Sequence, residues 1–358
     1  MGGPGDPPEG TPEGSPSGAE DEYRSVVFDE SFVRAARLQE YSAHERMTDH
    51  APAVRRRKPR HRRLVTRQAL ALVVLLAIAF GTALYMGVRH PYGSPQVRRS
   101  AESLRTTVVP LAPRGEVPGA ADARTLFERS PAAGFVSGIE GVPLPAVRAT
   151  SHFSESQVQA ALTTVRTYLV RSSLDPDVLA GRAVRPVRAL LDAGQLGQFD
   201  RSVNRPAPDG RHAATGWLIR FDPARAVLAD DRIRVLGTLR AAETDPATLE
   251  ITSDSTFVYA LRPRGSTHAP APVSLFTVRR ALTFRFDSDN LRVGQTRLVS
   301  SSTQAGPLSC AEDTSARLHP LLAGQTTRPG GPAVTDPYTA ATPTALCGTL
   351  SDAAQPKP

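Results

Sequence analysis

Cys310 and Cys347 are the residues of this chain whose chemistry is most definite. They stand 37 positions apart, and both follow the apolar run described below. An even pair in an oxidising compartment forms a disulfide, worth about 4 kcal/mol on the chain-entropy model for a loop of this length. Two free thiols are the other reading. Metal binding is not indicated, because neither C-x-x-C spacing nor a local histidine accompanies either cysteine. The histidines after the apolar run, namely His90, His152, His212, His268 and His319, fall in loops or at element edges. No His-x-x-x-His, Gly-x-Ser-x-Gly or glycine-rich phosphate loop occurs. Serine and aspartate are plentiful enough that chance supplies a Ser-His-Asp set on paper. No catalytic, cofactor or metal residue is assigned, and Glu155 near His152 fits helix-start electrostatics. Arg280 stands apart, at a core-facing position of the alternating segment Phe276–Phe286. Two structural accounts, a strand bulge or a paired buried arginine, compete with an anion-binding arginine in a cone-shaped pocket.

What positions these residues is first of all a membrane. Ala69 to Val88 is a run of twenty uncharged, mostly apolar residues. At 1.5 Å per residue it reaches about 30 Å, the thickness of a bilayer's hydrocarbon core. Arg55, Arg56, Arg57, Lys58, Arg60, Arg62, Arg63 and Arg67 precede it without an intervening acid. Basic residues beside a span are retained in the cytoplasm, so the N-terminus is expected inside and residues 89–358 outside. A cleaved signal peptide would have an apolar region of about 7–15 residues and a small-x-small exit; this run is longer and leaves through Tyr85-Met86-Gly87-Val88-Arg89. The formal net charge of +8 would suggest nucleic acid, yet the eight juxtamembrane cations account for it. The basicity marks topology and attraction to anionic membrane lipids, and no nucleic-acid partner is expected.

Residues 1–22, made of Gly, Pro, Glu, Asp and Ser, are too polar to offset ordering entropy and are expected to be disordered. Residues 23–54 retain Phe28, Phe32 and Leu38, and Asp29 or Ser31 could cap a short helix there. Such a helix is marginal alone. It is either a solvated nascent helix or a motif that docks in a partner's groove or on the inner leaflet. After the basic segment 55–67 and the span 68–88, residues 89–123 read as a Pro-, Gly- and Arg-rich linker. Residues 124–150 read as an irregular segment on the edge of a domain covering 124–309, and 310–358 as a Pro- and Thr-rich tail tied by the disulfide.

Ser154 and Gln157 spell a capping box, followed by Val158, Ala161, Leu162, Val165, Tyr168 and Leu169 at helical spacing. Pro176 and Pro186 open further short helical pieces. After Gly210 the apolar period changes to two. Trp217-Ile219-Phe221, Ile233–Leu239, Leu249–Leu261 and Phe276–Phe286 read as strands, Asp287–Asn290 as a turn and Leu291–Ser302 as a last strand. The fold class expected is α+β, with helices packed on a curved antiparallel sheet.

One span followed by a helix and an antiparallel meander over about 150–303 resembles, in element order, the nuclear transport factor 2-like (cystatin-like cone) ectodomains of some bacterial envelope proteins. These include mammalian-cell-entry-associated proteins and an inner-membrane component of type IV secretion. The tail VVFDESFVRAARLQEYSAHERM, the phrase Leu174-Asp175-Pro176 and the phrase Thr303 to Cys310 resemble uncharacterised actinobacterial single-pass membrane proteins. An excess of arginine over lysine of 41 to 2 agrees with a high-GC source. The resemblance implies no activity. The function expected is a non-enzymatic cell-membrane protein with an extracytoplasmic binding domain, its partner in the envelope or at the cytoplasmic tail. An extracytoplasmic hydrolase using the sheet's concave pocket is the alternative.

Overall fold

The computed structural model describes residues 62–89, 102–265, 271–340 and 345–357. The expectations for 1–61, including Arg55 to Arg60 and the motif Phe28, Phe32, Leu38, lie outside the described residues. Two compact units divide the chain at 93/94.

In the first unit, α1 (Arg62–Arg89) is a continuous helix. Its large apolar side chains are exposed, Leu75 by 66 % and Phe80 by 70 %. The Thr82 hydroxyl is turned back onto the Ile78 and Ala79 carbonyls at 2.8 and 2.9 Å. Among the described residues no helix is long and apolar enough to cross a membrane.

The second unit is α+β. Its elements in order are β1 (Arg105–Ala112), α2 (Ala123–Glu128), β2 (Val136–Ser137), α3 (Glu155–Ser173), α4 (Pro176–Leu179), α5 (Arg185–Arg188), α6 (Leu196–Asn204), α7 (Ala214–Trp217), β3 (Ala226–Leu228), β4 (Arg234–Asp245), β5 (Thr248–Pro263), β6 (Ser274–Phe286), α8 (Ser288–Val293), β7 (Arg297–Gly306), β8 (Val334–Thr335) and β9 (Gly348–Leu350). The strands lie in the order β2-β4-β5-β6-β7-β1-β9-β8, with β3 on β5. From β4 to β7 the sheet is an antiparallel meander whose register sets Val235, Phe257, Val278 and Ala305 in one row. That row belongs to the inner face, whose residues are buried and mostly apolar, with Ser253, Ser255, Arg280, Ser301 and Thr303 among them. Against it lies α3, opened by the capping box: Ser154 Oγ accepts from Gln157 N–H and the Gln157 side chain returns to Ser154 N–H at 2.8 Å. Val158, Leu162, Val165, Tyr168 and Leu169 of α3 are buried, and Tyr168 meets Phe284 edge-on at 5.1 Å.

Four expectations are corrected. The sheet is mixed, because β1 runs parallel to β7 and β9 parallel to β1. Residues 105–112, inside the expected linker, form β1; Val109 and Leu111 are buried there, so the Pro-rich composition around them conceals a core strand. Trp217-Ile219-Phe221 is not a strand. Leu218 between them is as buried as its neighbours, and the Ile219 and Phe221 amides bond the carbonyls of Ser172 and Leu179. Asp287 accepts from Asp289 and Asn290 amides and opens α8, which Gly294 closes at φ 65°; the last meander strand therefore begins at Arg297 rather than Leu291.

Candidate functional site

Arg280 sits on the inner face of β6 and is fully buried. Pairing runs unshifted through it, Ser255 on one side and Thr303 on the other, so no bulge places it there. Nor does a carboxylate pair with it. Its Nη1 donates to Ser172 Oγ and Ser173 Oγ and its Nη2 to Gly216 O, all at 3.0 Å. Ser172 and Ser173 end α3, where the last carbonyls carry the negative end of the helix dipole, and that end partly offsets the guanidinium charge. The hydroxyls of Tyr168 and Tyr259 donate to Trp217 O and Ser173 O at 2.6 and 2.8 Å. Burial pushes both phenols up and lowers the affinity of Arg280 for its proton. The concave face is therefore filled by α3, Trp217 and these rings, and Arg280 does not open onto solvent.

The outer face of the sheet is divided. At one end α2 and the loop after it cover Val258, Ala260, Val273 and Leu275 with Leu126, Phe127 and Ala132. The C-terminal segment lies there too. Thr256 Oγ1 donates to Pro337 O, the hydroxyls of Thr277 and Tyr338 meet at 3.0 Å, and Arg279 joins Asp254 at 2.8 and 2.6 Å and also the Thr339 carbonyl. Burial pushes the Tyr338 phenol up to about 12. Cys310 and Cys347 are bridged, their Cα atoms 5.7 Å apart, which fastens β9 beside β1. The expected tail thus completes the sheet edge.

The other end of the outer face is open. A cleft of about 940 Å³ is lined by Glu102, Ser103 and Arg105 at the start of β1, by Arg211, by Asp245 and Thr248 of the β4–β5 turn, and by Thr283, Arg285, Arg297, Val299 and Ser300. Its floor follows the register, which places Thr283 opposite Ser300 and Ser300 opposite Arg105. Arg285 Nη1 donates to both oxygens of Glu102 at 2.8 and 2.6 Å, and its Nε donates to Glu250 at 3.1 Å. Arg297 is joined to Asp287 and, at 3.2 Å, to Asn290 Oδ1. Two glutamines from one turn fix the entry of the chain. Gln195 Nε2 holds the carbonyls of Glu102 and Leu298, and Gln198 Nε2 holds those of Leu104 and Arg211.

The histidines pair with carboxylates near the surface. His152 Nδ1 meets Glu243 at 2.6 Å, His212 Nδ1 meets Asp209 at 2.5 Å, and His319 Nδ1 lies 3.5 Å from Asp222. His90 and His268 are outside the described residues. Among the described residues no hydrogen bond joins an imidazole to a serine or threonine hydroxyl, and no three His, Cys, Asp or Glu side chains are grouped to hold a metal ion. Sequence reasoning overlooked Arg105, Arg211, Arg285 and Arg297. They come from four separated segments, and only the parallel placement of β1 brings the first of them to the meander. The chain matches no protein-family profile, no curated protein and no solved structure.

Proposed function

We propose that this chain is a single-pass cell-membrane protein, its N-terminus cytoplasmic, whose extracytoplasmic domain binds a ligand or protein partner without catalysing a reaction. The observation that carries the reading is α1, whose Leu70, Leu72, Leu75, Leu76, Ile78 and Phe80 are exposed with no charged residue from 69 to 88. A helix apolar all round is stable against lipid and costly in water. The back-bonded Thr82 hydroxyl suits lipid as well, where each polar group must be satisfied inside the helix. Arg62, Arg63 and Arg67 at its start, with the basic residues before them, favour the inside orientation. The Cys310–Cys347 bridge supports an oxidising compartment for the second unit. The open polar cleft and the filled concave face favour binding over the hydrolase alternative. The likeness to nuclear transport factor 2-like ectodomains is carried by helix-before-meander order alone, and β1 and β9 stand outside that order.

An export-dependent phosphatase fused after Pro358 is expected to be active, and the same enzyme fused after Ala53 inactive. The reverse pattern overturns the orientation. Partner capture from detergent extracts, with the tail or the second unit deleted separately, tests the interaction. In the tail, Phe32→Ala is expected to abolish recovery of a cytoplasmic partner docked through Phe28, Phe32 and Leu38. Undiminished recovery removes that motif from the reading.

A further inference from the structure

The cleft on the outer face is lined by four arginines, Arg105, Arg211, Arg285 and Arg297, against two carboxylates, Glu102 and Asp245. Arg285 is engaged by Glu102 and Glu250, and Arg297 by Asp287 and Asn290. Arg105 and Arg211 also line the cleft, and both are exposed. Among the described residues neither of their guanidinium groups has an ion-pair or hydrogen-bond partner. The backbone holds them side by side through specific contacts. Gln198 Nε2 donates to Leu104 O and Arg211 O, each at 2.9 Å, while its Oε1 accepts Leu104 N–H at 2.8 Å. The Thr106 N–H donates to Gly210 O at 2.9 Å. The residues on both sides of Arg105 are thereby pinned to Gly210 and Arg211.

Two guanidinium groups carried on adjoining segments raise the local positive potential, which favours an anion beside them. The surroundings suit one. Ser300 is the register partner of Arg105 and Thr283 is the partner of Ser300, so two hydroxyls share the outer face with the arginines. Guanidinium forks match the oxygens of a phosphate group two at a time, and hydroxyls supply further donors. The cleft is of the size that holds a small molecule or a lipid headgroup.

We propose that Arg105 and Arg211, flanked by Ser300 and Thr283, form a binding site for a phosphate-bearing anionic ligand. The site rests on the binding reading given above and names its ligand class. The phosphate could belong to an anionic lipid headgroup or to a soluble phosphate ester.

The test uses the full chain in neutral detergent micelles at low salt. Glycerol 3-phosphate is titrated as the soluble probe, and micelles doped with phosphatidylglycerol or phosphatidylcholine as the lipid probes. Saturable binding of glycerol 3-phosphate or of phosphatidylglycerol is expected, with phosphatidylcholine bound at least about tenfold more weakly. Arg105→Gln and Arg211→Gln should each weaken binding about tenfold or more, the size of a lost charge-assisted contact, while Arg240→Gln on β4 should not. Phosphatidylglycerol bound without competition from glycerol 3-phosphate assigns the lipid source; competition assigns the soluble one. No saturable binding of either probe, or equal binding by all three variants, overturns the site. The phosphatase fusions are read independently, so expected topology without phosphate binding removes the site and leaves the membrane reading standing.

Discussion

Replacing Gln195 by leucine asks whether a side-chain amide completes the sheet where no strand reaches. Gln195 is 1 % exposed. Its Nε2 donates to the carbonyls of Leu298 and Glu102, both at 2.8 Å, and its Oε1 accepts the Leu298 N–H at 2.9 Å. Leu298 belongs to β7 just before Ser300, where pairing with β1 begins. Its amide and carbonyl on that side therefore have only the glutamine. Leucine nearly conserves the volume, so the cavity cost is small. The Glu102 carbonyl is partly exposed and can turn to water. What remains is two buried backbone groups without partners, at roughly 1–3 kcal/mol each, offset by about 1 kcal/mol for no longer burying an amide. The expected loss is about 1–5 kcal/mol, a large share of the roughly 5–15 kcal/mol typical of a folded domain. Trp217, the single tryptophan and fully buried, reports unfolding in urea with the disulfide intact and the chain in mild detergent. Hydrogen exchange of the Leu298 amide should accelerate in the same variant. A stability change under about 1 kcal/mol, or a Leu298 amide that stays protected, would refute the reasoning.

Three smaller expectations follow the same logic. Ser154→Ala removes the cap of α3 and should lower the urea stability by about 1 kcal/mol, with Gln157→Ala giving a comparable fall. Cys310→Ser should cost a few kcal/mol at most by denaturant titration and leave the far-ultraviolet spectrum of the sheet intact, because Trp217, Phe257, Phe284 and the other core rings lie in the main core. The Thr150 hydroxyl and the His152 ring and amide hold the Glu243 carboxyl at about 2, below its ordinary 4.5. A lowered carboxylate contributes stability that is complete above 4.5 and is lost as pH falls towards 2. Glu243→Gln should flatten the acid limb of the stability curve in that window, and an unchanged limb would show that the pairing is without consequence.

The meander was legible because its strands alternate core-facing apolar residues with more polar ones along part of their length. Ile233 to Leu239 carry the period of two across Gly237, Phe276 to Phe286 carry it across Arg280, and that parity puts Arg280 inward, where it lies. The helix α3 was legible for the same kind of reason: a cap, then a stripe. What escaped was set by distant partners. In β1, Arg105 to Ala112 is flanked by Pro and Arg, and nothing local announces that it will be buried between β7 and β9. Trp217 to Phe221 imitates a strand because it is buried on both sides by irregular backbone, a condition that alternation cannot report. The arginine cleft escaped for a combined reason. Its members are ordinary surface residues in sequence, and only the closure of β1 onto the meander makes them neighbours.

The position of β1 has a consequence for how the second unit comes to be folded at all. The first strand to emerge pairs with β7 and with β9, the latter joining Leu111 to Gly348. The meander from β4 to β7 can assemble from neighbours in sequence, but β1 can pair only once β7 has been made, and its second pairing waits for β9. Contacts of such long separation form slowly, because loop closure is costly before any pairing rewards it. During synthesis β1 therefore waits unpaired until β7 is made, and then with one apolar edge open until β9 arrives, the kind of surface on which chains aggregate. A chain shortened before Gly348 would keep its meander and lose that closure, leaving β1 open on one side. The segment Gly348–Leu350 thus governs the fate of β1, and truncation before it should be read as damage to the entry of the fold rather than as loss of an appendage.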